Sequence, residues 1–112
     1  MVRVGAIVMQ VADTERAGAF WSAALGYRRR DNPDFLEPAV PGQPHLHLDR
    51  TDRTHLDLWV ADAQEQRAEV ARLVALGATE VAWDYPPDAD FVVLADPDGT
   101  LFCIIDTGFD SR

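Results

Sequence analysis

Apolar and polar positions alternate with period two in two separate stretches of the chain. Ile7, Met9 and Val11 alternate with Ala6, Val8 and Gln10, and Leu56, Leu58 and Val60 alternate with His55, Asp57 and Trp59. That period puts the two sets of each stretch on opposite faces of a strand. A helix follows each strand. Asp13 and Asp62 are good N-caps, and Glu65 stands three residues after Asp62 as in a capping box. Ala17, Phe20, Trp21 and Ala24 recur at helical spacing, as do Val70, Leu73, Val74 and Gly77. Phe20 and Trp21 are therefore expected in the core. Gly26 and Gly77 supply the left-handed residue that stops a helix.

Shorter extended pieces come next. In the second half they are Glu80 to Trp83, Phe91 to Ala95 and Leu101 to Asp106, the last two joined by the turn Asp96-Pro97-Asp98-Gly99. In the first half they are Tyr27 to Arg30, Phe35 to Glu37 and His45 to Arg50, with Pro38, Pro41, Gly42 and Pro44 forming a loop. The halves are copies of one unit. Val11-Ala12-Asp13 and Val60-Ala61-Asp62 lie 49 positions apart, and Ala24-Leu25-Gly26 and Ala75-Leu76-Gly77 lie 51 apart. Each copy reads as strand, helix, then three strands. The prediction is a single α+β domain over 1–112 built from two tandem βαβββ modules, module one 1–51 and module two 52–112.

The helix of each module must cover the apolar face of its strands. The other face then carries Ala6, Val8 and Gln10 in module one and His55, Asp57 and Trp59 in module two. By the same alternation Leu46 and Leu48 turn to the helix, leaving His45, His47 and Asp49 opposite. Phe102 and Ile104 turn to the second helix, leaving Cys103 and Ile105 opposite. Gln10 and Trp59 are counterparts, and an aromatic wall with an amide suits a flat or amphipathic organic ligand. Asp57 and Asp49 add negative charge to the same face.

A net charge of −9 argues against nucleic acid and anionic membrane as partners and mildly favours a cationic ligand. The sole cysteine, Cys103, allows no intrachain disulfide and fits a reducing cytoplasm. No apolar run reaches membrane-spanning length, and the N-terminus reads as a first strand rather than a signal peptide. Ser22 and Ser111 have no base at useful spacing, and no phosphate-cradling glycine loop is present. The run Arg28-Arg29-Arg30 reads as a solvated edge. Trp83 and Tyr85 lie by the Pro86-Pro87 loop, where they can rim a ligand site, pack, or face a second copy.

The paired modules, the Val-Ala-Asp entries, Phe20-Trp21 followed by Leu25-Gly26-Tyr27, and Asp96-Pro97-Asp98-Gly99 resemble the vicinal oxygen chelate superfamily. His55-Leu56-Asp57-Leu58, Ala75-Leu76-Gly77-Ala78 and Leu101-Phe102-Cys103 resemble its glyoxalase-like, bleomycin-resistance-like branch. The resemblance covers essentially the whole chain. It implies a curved mixed sheet around a cleft shared by the modules, and a homodimer. In the metal-dependent members, the first and last strands of each module supply four ligands to a divalent metal that binds paired substrate oxygens. Other members hold no metal and sequester a drug.

Carried over residue by residue, the ligand positions fall on His55, on Ala6 as its counterpart, on Cys103, and near His47. Ala6 has no donor atom, so the usual set is incomplete. Two readings stand. One is a protein that binds a small organic molecule through Gln10, His47, His55, Asp57, Trp59 and Cys103 without the usual metal. The other is a metal-dependent lyase, isomerase or dioxygenase in which His47 and His55 hold zinc, iron or manganese, with Cys103 or His45 completing the set.

Overall fold

The computed structural model describes residues 1–108; residues 109–112, Ser111 among them, lie outside. The described residues are α+β, with two helices and strands of mixed sense arranged as two βαβββ copies. The elements of copy one are β1 (Arg3–Gln10), α1 (Thr14–Leu25), β2 (Arg28–Arg29), β3 (Phe35–Glu37) and β4 (His45–Asp49). Copy two follows with β5 (His55–Val60), α2 (Ala63–Ala75), β6 (Thr79–Glu80), β7 (Phe91–Ala95) and β8 (Leu101–Asp106). The contacts divide the chain into two compact units, Gly5–His55, and Met1–Val4 together with Leu56 onward.

Within the first unit the strand order is β2-β3-β4-β1, and within the second it is β5-β8-β7-β6. The outer strands of each copy pair antiparallel, whereas its first and last strands pair parallel. A parallel pair needs a long crossover, and the helix in that crossover packs on one face of the sheet. The alternation decides which face. Leu36, Leu46 and Leu48 form a buried cluster with Ile7, Met9, Val11, Ala17 and Trp21. Val60, Leu94 and Ile104 form the second with Val70, Leu73 and Phe102. Leu36, Leu94 and Ile104 are 0% exposed, and burying each such side chain contributes about 1.5–3 kcal/mol. Phe20 is a correction to the expected core, since it is 61% exposed and touches Trp21 edge-on with centroids 5.0 Å apart.

The helix ends follow from the capping residues. Asp13 accepts the Arg16 N–H at 3.0 Å, and Asp62 accepts the Glu65 N–H at 2.8 Å. Glu65 reaches back to the Ala61 N–H at 2.8 Å, one residue ahead of the cap. Gly26 takes φ 69 after α1, and Gly77 takes φ 121 after α2, where the Ala78 N–H closes onto the Leu73 carbonyl at 3.0 Å. In the β7–β8 turn, Asp96 accepts from both Asp98 N and Thr100 N at 2.9 Å.

Two local expectations change. β6 ends at Glu80 rather than Trp83, because the ladder to β7 finishes with Val81 N–H on Val93 O at 3.3 Å. The Tyr85 hydroxyl then takes the Val93 N–H at 2.8 Å, so a side chain replaces the backbone partner where the strand stops. Arg29 is not solvated. It crosses α1 to Glu15 at 3.0 Å and is only 25% exposed. Gly18 makes room for it, since a Cβ there would overlap the guanidinium. Arg28 and Arg30 both pair with Glu37.

Met1–Val4 joins the second unit through Glu69, a carboxylate 6% exposed on α2. Glu69 accepts the Val2 N–H at 2.6 Å and two hydrogen bonds from Arg72, at 2.7 and 3.0 Å. The Arg72 hydrogen bonds, more than any other contact, hold its pKa down from 4.5 to about 2. A lowered carboxylate pKa stabilises the fold above the unfolded value and loses that contribution as pH falls through the folded one. Replacing Glu69 by Gln is expected to lower stability by about 1–3 kcal/mol at pH 7, as for other hydrogen bonds to a charge. In urea unfolding series the gap between the proteins should narrow from pH 4.5 towards pH 2. A gap that does not change with pH would contradict this role.

Candidate metal and ligand site on β5 and β8

β5 and β8 run parallel with Asp57 opposite Cys103 and Trp59 opposite Ile105. Val60, Ile104 and Phe102 turn towards α2, so Asp57 and Cys103 lie on the face away from the helix. His55 stands two residues before Asp57 on the same strand and therefore on the same face. One donor atom from each of His55, Asp57 and Cys103 lies within 4.8 Å of the other two, and all three side chains are half-buried. Among the described residues this is the group of three or more His, Cys, Asp or Glu side chains close enough to hold an ion.

The His55 ring is oriented by the backbone. Its Nδ1 lies 2.7 Å from the Arg53 carbonyl oxygen. A carbonyl only accepts, so Nδ1 carries the proton, and in the neutral ring the lone pair sits on Nε2. A backbone carbonyl on the second nitrogen is a usual way to fix a ligating imidazole.

The donor set differs from the one that the resemblance implies. The register makes Val8 the partner of His47 in copy one, as Asp57 is of Cys103 in copy two. His47 is thus the counterpart of Cys103, Val8 of Asp57, and Ala6 of His55. Copy one offers one donor at these places and copy two offers three. The usual four-ligand arrangement does not fit, because Ala6 has no donor. A three-donor arrangement of imidazole nitrogen, carboxylate oxygen and thiolate sulfur does fit a zinc-class ion and leaves a position open.

The other sequence candidates lie as follows. His47 on β4 stacks on Phe35 with centroids 4.1 Å apart and planes 13° apart. His45 is opposite Ala6 on the same strand pair. The Gln10 side chain is at an exposed strand end, and its backbone N–H bonds Thr54 Oγ1 at 3.0 Å. Trp59 is 8% exposed, and the Arg3 guanidinium lies over its ring at 5.3 Å from the centroid. A protein cation therefore covers a ring face expected to meet ligand. Asp49 is taken up by its own loop. The Asp52 N–H, with those of Thr51 and the Thr51 hydroxyl, holds its carboxyl below the usual carboxylate range.

Sequence reasoning missed two elements of this surface. The Arg3–Trp59 contact joins distant residues and left no local signal. Asp57 was named as a ligand-binding residue, and only its place as a metal donor beside His55 and Cys103 was not drawn.

A family model described as glyoxalase-like domain matches residues 6–105. The chain belongs to the glyoxalase-like domain family. No curated protein matches it in sequence. Among solved structures, the NAD-dependent benzaldehyde dehydrogenase of Legionella pneumophila is 14% identical with a TM-score of 0.67, over 90% of this chain and 96% of that one. A glyoxalase/bleomycin resistance protein/dioxygenase superfamily member from Vibrio splendidus 12B01 is 17% identical with a TM-score of 0.57, over 95% and 99%. The methylmalonyl-CoA epimerase of Mycobacterium tuberculosis is 20% identical with a TM-score of 0.54, over 91% and 85%. At these identities the likeness is one of glyoxalase-like fold.

The geometry makes a direct expectation for the unliganded protein. Nitrogen-15 NMR of the neutral His55 ring should show the proton on Nδ1. A ring protonated on Nε2 would contradict the Arg53 contact.

Proposed function

We propose that this glyoxalase-like protein binds a small oxygen-bearing organic molecule through a divalent metal held by His55, Asp57 and Cys103. The observation that carries this reading is the approach of their three donor atoms to within 4.8 Å. A metal bound there would act as a Lewis acid on a ligand oxygen. The residues contribute the rest: His55 presents Nε2 because Arg53 holds Nδ1, and the two carboxylate and thiolate charges match a divalent cation. Strand backbones fix all three positions, which lowers the ordering needed on binding.

Metal-free capture of an organic molecule is the second reading. Ala6 favours it, since the residue standing where copy two has His55 offers no donor. On that reading His55, Asp57 and Cys103 bind the molecule by hydrogen bonds.

Metal analysis of protein purified without an affinity tag separates the two. The metal reading expects stoichiometric zinc, iron or manganese, lost in His55→Ala. It also expects added metal at 100-fold over its Kd to stabilise the apoprotein by about 2.7 kcal/mol. Absence of metal, together with no stabilisation by any of the three ions, would leave metal-free capture.

A further inference from the structure

We propose that the metal site takes its ligands from β5 and β8 alone and selects soft, zinc-class ions over magnesium and manganese. This rests on the metal-dependent reading above and adds the identity class of the ion and the source of every ligand. Cys103 decides the selectivity. Magnesium and manganese prefer sets made of oxygen, whereas thiolate and imidazole together suit zinc, cobalt and similar ions. A set with one oxygen, one nitrogen and one sulfur offers a hard ion a single good ligand.

Spacing points the same way. Ligand atoms around a tetrahedral zinc stand roughly 3.3–3.8 Å apart, given bonds of about 2.0–2.3 Å. The three donors here lie within 4.8 Å of one another, so small side-chain rotations close the set. The octahedral shell of magnesium, at about 2.1 Å, would need a tighter approach and more ligands.

Asp57 distinguishes this arrangement from one shared by both copies. It is paired across the strands with Cys103. The equivalent pair in copy one is Val8 and His47, and there the single donor ring is stacked on Phe35. The three donors of copy two, with one open coordination position, are enough for a zinc-class site without a ligand from copy one.

Cobalt(II) reports on the ligands directly, because a cobalt–thiolate bond gives a strong charge-transfer absorption in the near ultraviolet. Titration of reduced full-length protein is expected to produce that band at one equivalent. Zinc should abolish it at near-stoichiometric amounts, while a hundredfold excess of magnesium or manganese leaves it in place. Cys103→Ser should remove the band, and Asp57→Asn should weaken cobalt binding at least tenfold. His45→Ala and His47→Ala should change neither band nor affinity. Displacement of cobalt by comparable magnesium or manganese, or loss of the band in His47→Ala, would overturn the inference while leaving a metal-dependent function intact. A protein that binds none of these ions would overturn both. The competition series needs no variant, so a misfolded Cys103→Ser leaves the test decisive.

Discussion

Each copy is organised by the parallel pairing of its first strand with its last. Antiparallel neighbours can be joined by a tight turn, but a parallel pair demands a crossover, and here α1 or α2 lies within it. That helix must bury an apolar stripe, so one face of the pair becomes core. Strand geometry then commits alternate residues to the opposite face. Leu48 and Ile104 are buried for this reason, and Asp57 and Cys103 meet for the same reason. A slip of one residue in the β5–β8 register would exchange the two sets. The core thus fixes which side chains of β5 and β8 share the site's face.

Both copies obey this constraint, and they diverge in chemistry on the face it leaves open. The equivalent positions are Ala6, Val8 and His47 in one copy and His55, Asp57 and Cys103 in the other. The first set is apolar apart from a histidine stacked on Phe35. The second is three potential ligands. Copy one therefore keeps the scaffold with one donor at these positions, whereas copy two has three. Covalent doubling of one unit allows this, because each half carries its own helix-covered core.

Much of the fold was legible because its determinants are local. The alternation located β1 and β5, Asp13 and Asp62 marked the helix starts, and the Asp96 turn set the bounds of β7 and β8. Phe35–Glu37 was also found, despite its length. What escaped the sequence depends on contacts between distant residues. Arg29 looks like part of a charged edge until Gly18 is seen to admit it to the surface of α1. Trp59 looks like a ligand wall until Arg3 is seen above it. The early end of β6 depends on Tyr85, a side chain that takes over a backbone hydrogen bond. In the site, His55, Asp57 and Cys103 were all placed on one face, but the close approach of their donor atoms required the strand register.

The central claim is that His55, Asp57 and Cys103 together hold one metal ion. Anomalous diffraction at the zinc edge, from crystals of the zinc-loaded protein, tests it most directly. The account expects one strong peak about 2.0–2.3 Å from His55 Nε2, an Asp57 carboxylate oxygen and Cys103 Sγ. A peak at His45 or His47 instead, or none at the β5–β8 face, would contradict it.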